Sequence, residues 1–130
     1  MTTPWLFMPD LSLLGVADPG VPNRERVVIR PTQTASLYAT GIAVGVIDPR
    51  SGGASPIFDH TFWFPNVVVR PPSWVFVFTG PGSPSETKNQ NGETIRSFFW
   101  NRQETIFANL ELIPVLFRLG SVVIGRQLRA

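Results

Sequence analysis

The sequence predicts an all-β fold, a sandwich or a barrel, built as one domain. Three observations carry this. Short segments rich in β-branched and aromatic residues recur along the chain, each bounded by turn residues. The 13 prolines and 11 glycines interrupt the chain often, which favours short strands over long helices. In "SWVFVFT" the apolar run is continuous, with Trp74, Phe76 and Phe78 facing one way and Val75 and Val77 the other. A strand apolar on both faces is buried on both, or buried on one with a partner on the other.

The elements follow in order. "MTTPWLFMPD", residues 1–10, reads as an apolar arm, because Pro4, Trp5, Phe7 and Pro9 follow no clear period. Trp5 and Phe7 would be unfavourable in water, so the arm is expected to dock on its own domain or on a neighbour. Residues 11–130 are expected to form the single domain. "LSLLGVA" reads as a first strand and "ERVVIRP" as a short strand flanked by Arg. "SLYATGIAVGVID" is β-rich, and Gly41 and Gly45 within it point to a bulge or a close approach of another backbone. "PRSGGASP" reads as a loop.

"TFWF" and "VVV" read as strands separated by "PN". Pro71 and Pro72 cannot donate ladder hydrogen bonds, so pairing stops at "RPPS". Residues 80–93 read as a long polar loop with an Asn91–Gly92 turn and the only Lys, Lys88. "IRSFFWN", "ETIFANLEL", "PVLFRLG" and "SVVIG" read as further short strands. A helix over residues 103–111 is the local rival, which Pro114 and the β-branched residues beyond it would end.

Composition bounds the function classes. A chain of 130 residues with 43% hydrophobic content can bury roughly two thirds of its unfolded surface. Charged residues are only 15%, which leaves room for a surface covered by other subunits or partners, or for polar uncharged loops. The net charge is +2, with residues 1–65 at −1 and residues 66–130 at +3. Ten of the eleven basic residues are Arg, which makes planar and stacked contacts that Lys does not. Arg118, Arg126 and Arg129 follow the last acid and make a weakly basic end, which falls short of a nucleic-acid stripe. No cysteine is present, so disulfides, thiolate metal sites and Cys nucleophiles are excluded. The first residues lack the basic start and apolar core of a signal peptide, and no run is long enough to span a bilayer. The expected location is the cytoplasm, with no membrane insertion.

The stretch from Glu25 onward resembles the lamin tail domain, an immunoglobulin-like β-sandwich. "RERVVIRP" looks like that family's opening strand. "FWFPNVVVRPPSWVFVFTG" is similar to its central signature of an aromatic-Pro step, a strand, a turn and an apolar strand into a glycine-rich loop. "FFWNRQETIFANLE" is similar to its late Trp-Asn segment. Pro31, Ser73 and Gly41–Ile42 depart from the family pattern, as does "ELIP" at the expected closing turn. The resemblance implies an immunoglobulin-like β-sandwich of lamin-tail type, used as a binding or assembly module without catalysis.

Catalytic signals are weak. His60 is the only histidine, and its neighbour Asp59 would point to the opposite strand face, which suits neither a metal site nor a shared role. No nucleophile-elbow pattern is present. Glu104 and Glu111 are the one late acid pair and read as solvent-facing charge. "GPGSPSETK" lacks phosphate-loop spacing. No catalytic residue, metal or cofactor is expected.

The aromatic residues are the sharper question. Trp63, Trp74 and Trp100 could form a stacking platform for a sugar or a single strand, with Arg70, Arg96 and Arg102 near them in sequence. The alternative is that aromatic residues fill the core, which is the expectation for Phe62, Phe64, Phe76, Phe78, Phe99 and Phe107. If Phe62 and Phe64 point inward, Trp63 points outward. The expected function is a non-catalytic protein–protein interaction or self-assembly module, with a protein partner or a second copy as partner. Its candidate interface is Trp5, Phe7, Trp63, Arg70, Lys88, Arg118, Arg126 and Arg129. A carbohydrate- or anionic-polymer-binding module comes next, and a hydrolase third. Nucleic acid is not expected.

Overall fold

The described residues form ten β-strands: β1 Leu11–Ala17, β2 Arg26–Pro31, β3 Ala35–Ser36, β4 Thr40–Ile47, β5 Ala54–Trp63, β6 Val68–Val69, β7 Ser73–Phe78, β8 Ser85–Lys88, β9 Thr94–Phe99 and β10 Leu112–Arg118. They come from a computed structural model that describes residues 8–48, 50, 52–121, 123, 125, 127 and 128. No helix occurs among the described residues. A five-stranded sheet runs in the order β1-β2-β7-β9-β8, a three-stranded sheet runs β10-β4-β5, and β3 pairs with β6. All neighbours are antiparallel except β7 and β9, which are parallel.

Binary patterning explains why these segments assemble. On β2 and β7 the alternate residues Val27, Ile29, Val75 and Val77 are buried, and on β4 Ile42 and Val44 are buried. They meet in one cluster with Leu11, Leu37, Phe64, Phe98, Trp100 and Phe107. The two larger sheets thus share one core, in a β-sandwich-like arrangement. A fully buried aliphatic side chain of this kind contributes about 1.5–3 kcal/mol through loss of apolar contact with water.

Three sequence expectations are corrected. Residues 80–93 are not one loop, because Ser85–Lys88 form the edge strand β8 on β9. All four β8 residues are exposed, so backbone pairing alone makes the strand and no apolar alternation marks it. "ETIFANLE" forms turns and bends rather than a strand, and β10 begins at the Leu112 that follows it. The N–H groups of Ile106 and Phe107 bond to the side chain of Glu25 rather than to a neighbouring strand. In "SVVIG", residues 121, 123 and 125 lie outside any strand and are exposed.

Several expectations hold. Strands occupy "LSLLGVA", "RVVIRP" and "SWVFVF". The Asn91–Gly92 turn is present, with Gly92 at φ 77° and its N–H bonded to the Asn89 carbonyl. The arm residues 1–7 lie outside the described residues. Met8 packs against the core cluster. The Pro9 carbonyl accepts bonds from the Thr32 hydroxyl and the Gln33 side-chain amide, and the Asp10 carbonyl accepts the Thr32 N–H.

Candidate functional site

The outer face of the three-stranded sheet holds the strongest candidate. β4 is its central strand and carries Gly41, Ala43 and Gly45 at alternate positions, the face opposite Ile42 and Val44. Gly41 pairs with Trp63 of β5 on one side and with Phe117 of β10 on the other. A Cβ at Gly41 would lie 2.6 Å from the Phe62 carbonyl oxygen and 2.8 Å from Cζ of Phe117. The missing side chain therefore lets the two aromatic residues approach across the strand. Their rings meet edge to face, with centroids 5.1 Å apart.

Trp63 remains 51% exposed, as its alternation with Phe62 and Phe64 requires. Phe64 is buried in the core, and Phe62 packs against it and against Phe64, Phe98 and Trp100. Val115 and Ile113 continue the outward row of β10 and are half-buried. Leu119 bonds through its N–H to the Ala39 carbonyl beside this row, and Tyr38 precedes it in the turn. Leu119 and Tyr38 are both exposed. Among the described residues, Trp63, Phe117 and Val115 thus share the outer face of this sheet, with the exposed Leu119 and Tyr38 in the segments that flank β10 and β4 at the same end.

Arg118 lies at the same end and is fully engaged in tying the chain together. Its guanidinium bonds to the Asp10 carboxylate, the Ser36 carbonyl and the Thr40 hydroxyl. This contact fixes the place where the N-terminal segment enters the domain.

The other expected interface residues lie elsewhere. Arg70 is exposed between β6 and β7, and Lys88 is exposed on β8, the far edge strand of the five-stranded sheet. Trp5, Phe7, Arg126 and Arg129 lie outside the described residues. The three tryptophans of the supposed platform are separated: Trp63 on one sheet, Trp74 on the other and Trp100 in the core.

The aromatic residues of β7 correct the core expectation. Val75 and Val77 take the inward positions, so Trp74, Phe76 and Phe78 face outward from the five-stranded sheet, half-buried. Phe99 of β9 joins them, stacked on Phe78 with centroids 5.2 Å apart and planes at 14°. The face is closed by arginine. The Arg26 guanidinium sits 5.2 Å from the Phe76 ring and 5.8 Å from the Phe78 ring, and that of Arg30 sits 3.9 Å from the Trp74 ring. Each cation is paired with a carboxylate: Arg26 with Asp18 at 2.9 Å, which Arg24 also approaches at 4.0 Å, and Arg30 with Glu93 at 2.7 Å. Glu93 also accepts bonds from Trp74 Nε1 and Asn89 Nδ2. These bonds, those of Asn89 and Trp74 before that of Arg30, hold its carboxyl below its ordinary value of 4.5.

His60 lines a cleft of about 530 Å³ with Arg102, Gln103, Glu104, Thr105, Ile106 and Leu112. The cleft joins the histidine to an acid, and among the described residues no serine lines it. The side chain of Asp59 lies outside the described residues. Among the described residues no group of three or more His, Asp or Glu is placed to hold a metal ion, and no helix is long and apolar enough to cross a membrane.

Sequence reasoning missed Glu25. Its side chain is fully buried and accepts four hydrogen bonds, from the N–H groups of Gly20, Ile106 and Phe107 and from the Thr79 hydroxyl. It also missed Phe117 as the neighbour of Trp63. The small-residue alternation Gly41, Ala43, Gly45 was the available signal for that contact. No family model, curated protein or solved structure matches the chain.

Proposed function

We propose that this chain is a non-catalytic protein–protein interaction module that binds through the outer face of its three-stranded sheet. One observation carries the reading: Trp63, half exposed, is seated on Phe117 over Gly41. A large amphipathic ring held on a paired sheet loses little conformational freedom on binding, which is why Trp is prominent among interface anchors. The fold reading that goes with it is an immunoglobulin-like sandwich of lamin-tail type. Its support is the order in which the resembling segments fall, on β2, then from β5 to β7, then from the end of β9 through the turns before β10.

A sugar- or polyanion-binding role has less behind it. Arg30 already covers Trp74, and Arg26 and Arg30 are already paired with carboxylates. The cations and the rings of that face are thus already engaged with one another.

Light scattering and thermal melting of the chain and of Trp63→Ser test the proposal. The variant is expected to weaken association by about tenfold or more while the stability change stays below about 1 kcal/mol. A loss of about 3–5 kcal/mol, as for a core aromatic residue, with association unchanged would overturn it.

A further inference from the structure

Strand β8 is the outermost strand of the five-stranded sheet, and among the described residues only β9 pairs with it. Its four residues are all exposed. At its end the Asn89 N–H donates to the Glu93 carbonyl, and the Asn89 carbonyl accepts the Gly92 N–H, so Asn89 turns its backbone groups toward the β9 side of the hairpin. Backbone direction alternates along an antiparallel strand, so Ser85 and Thr87 do the same. Glu86 and Lys88 therefore aim their N–H and C=O groups away from β9, at the open edge. A row of such groups is a template for another strand.

Charge decides which strand fits. Charged side chains on an edge block pairing wherever like charges meet. When β8 lies antiparallel to its own copy with Thr87 opposite Thr87, Glu86 stands opposite Lys88 of the second copy, and Lys88 opposite that copy's Glu86. These are the residues that present backbone groups, so both ion pairs fall on hydrogen-bonded positions. Arg96 on β9 approaches Glu86 at 3.8 Å from the other side, so each row across the contact reads positive, negative, positive. A slide of two residues is the smallest that keeps the hydrogen-bonding alternation. It sets Glu86 against Glu86, or Lys88 against Lys88.

We infer that β8 pairs antiparallel with β8 of a second copy, joining two five-stranded sheets into one about a two-fold axis. The two ends of the chain do not match this edge. Residues 1–8 carry no charged side chain, and residues 119–130 carry Arg126 and Arg129 but no acidic side chain for Lys88. The contact is separate from the Trp63 surface, which lies on the other sheet.

Charge exchange tests it. Glu86→Lys and Lys88→Glu each set like charges against one another in the paired register. Each alone is expected to weaken dimer formation by about tenfold or more in light scattering. Mixed in equal amounts, the two variants restore opposite charges at both positions and are expected to form a mixed dimer. Thermal melting checks that each variant is folded.

Cysteine gives a second reading, since the chain has none. In the paired register the two Thr87 Cα atoms lie about 4.5 Å apart, within reach of a disulfide, and the two Ser85 Cα atoms about 13 Å apart, beyond it. Thr87→Cys is expected to crosslink at least about tenfold faster than Ser85→Cys under oxidation. Equal rates at the two positions, a parent chain that stays monomeric, or charge variants that associate like the parent would each overturn the inference. Adding Trp63→Ser to the Thr87→Cys chain separates the two surfaces. Unchanged crosslinking supports the edge contact. Its loss would assign association to the Trp63 surface, sinking the edge contact and leaving the other reading standing.

Discussion

Arg30 is held from two sides, by the Trp74 ring beneath its guanidinium and by Glu93 at its edge. Glu93 is in turn bonded to Trp74 and Asn89, so four side chains fix one another. The depressed carboxyl makes this brace sensitive to acid. The folded group titrates below the same group in the unfolded chain. Its contribution is complete above the ordinary value of 4.5 and is lost as pH falls through the lower folded value. Melting temperature followed from about pH 6 to about pH 3 should therefore fall less steeply for Glu93→Gln than for the parent chain. Equal slopes would show that the brace carries no pH-dependent stability.

At the level of the element, β4 shows how one strand serves two faces. Ile42 and Val44 enter the core, while Gly41, Ala43 and Gly45 keep the outer face thin. Trp63 and Phe117 close over that thin strip. Any side chain at Gly41 must displace the Phe62 carbonyl or the Phe117 ring. Gly41→Val is expected to destabilise the domain by about 1–3 kcal/mol, read as a lower urea midpoint. Fluorescence should also report a changed environment for Trp63. β7 makes the complementary point. Its valines are buried and its larger aromatic residues are not, because the inner face must interdigitate with the second sheet and the outer face is closed by arginine.

Across the whole molecule, Glu25 joins segments that are distant in sequence. Its carboxylate gathers the turn at Gly20, the end of β7 at Thr79 and the turn at residues 106 and 107. Its backbone carbonyl also accepts the Thr79 N–H. A buried carboxylate is tolerated when donors fill its lone pairs, and four do so here. Glu25→Gln presents an amide donor to groups that are themselves donors. It is expected to cost about 3 kcal/mol, measured by guanidinium unfolding with the slope unchanged. A change below about 1 kcal/mol would show that water or rearrangement replaces the carboxylate.

The sequence by itself determined the all-β class, because short alternating segments between Pro and Gly breaks pack only as sheets. It determined the outward position of Trp63, because alternation with Phe62 and Phe64 leaves one parity for each. It determined that Gly41 meets a close neighbour, because a glycine inside a strand marks a bulge or a tight approach. Tertiary structure decided the rest. Strand β8 is polar on every residue, so only the hydrogen bonds of β9 define it. The choice between Val75 and Phe76 for the core is invisible in a run that is apolar on both faces, since it depends on what the opposite sheet presents. The pairing of Trp63 with Phe117 depends on strands 54 residues apart being neighbours of the same central strand, and register of that kind is a property of the assembled sheet. The role of Glu25 is hidden for the same reason: its donors come from residues 20, 79, 106 and 107, and only folding brings them to one carboxylate.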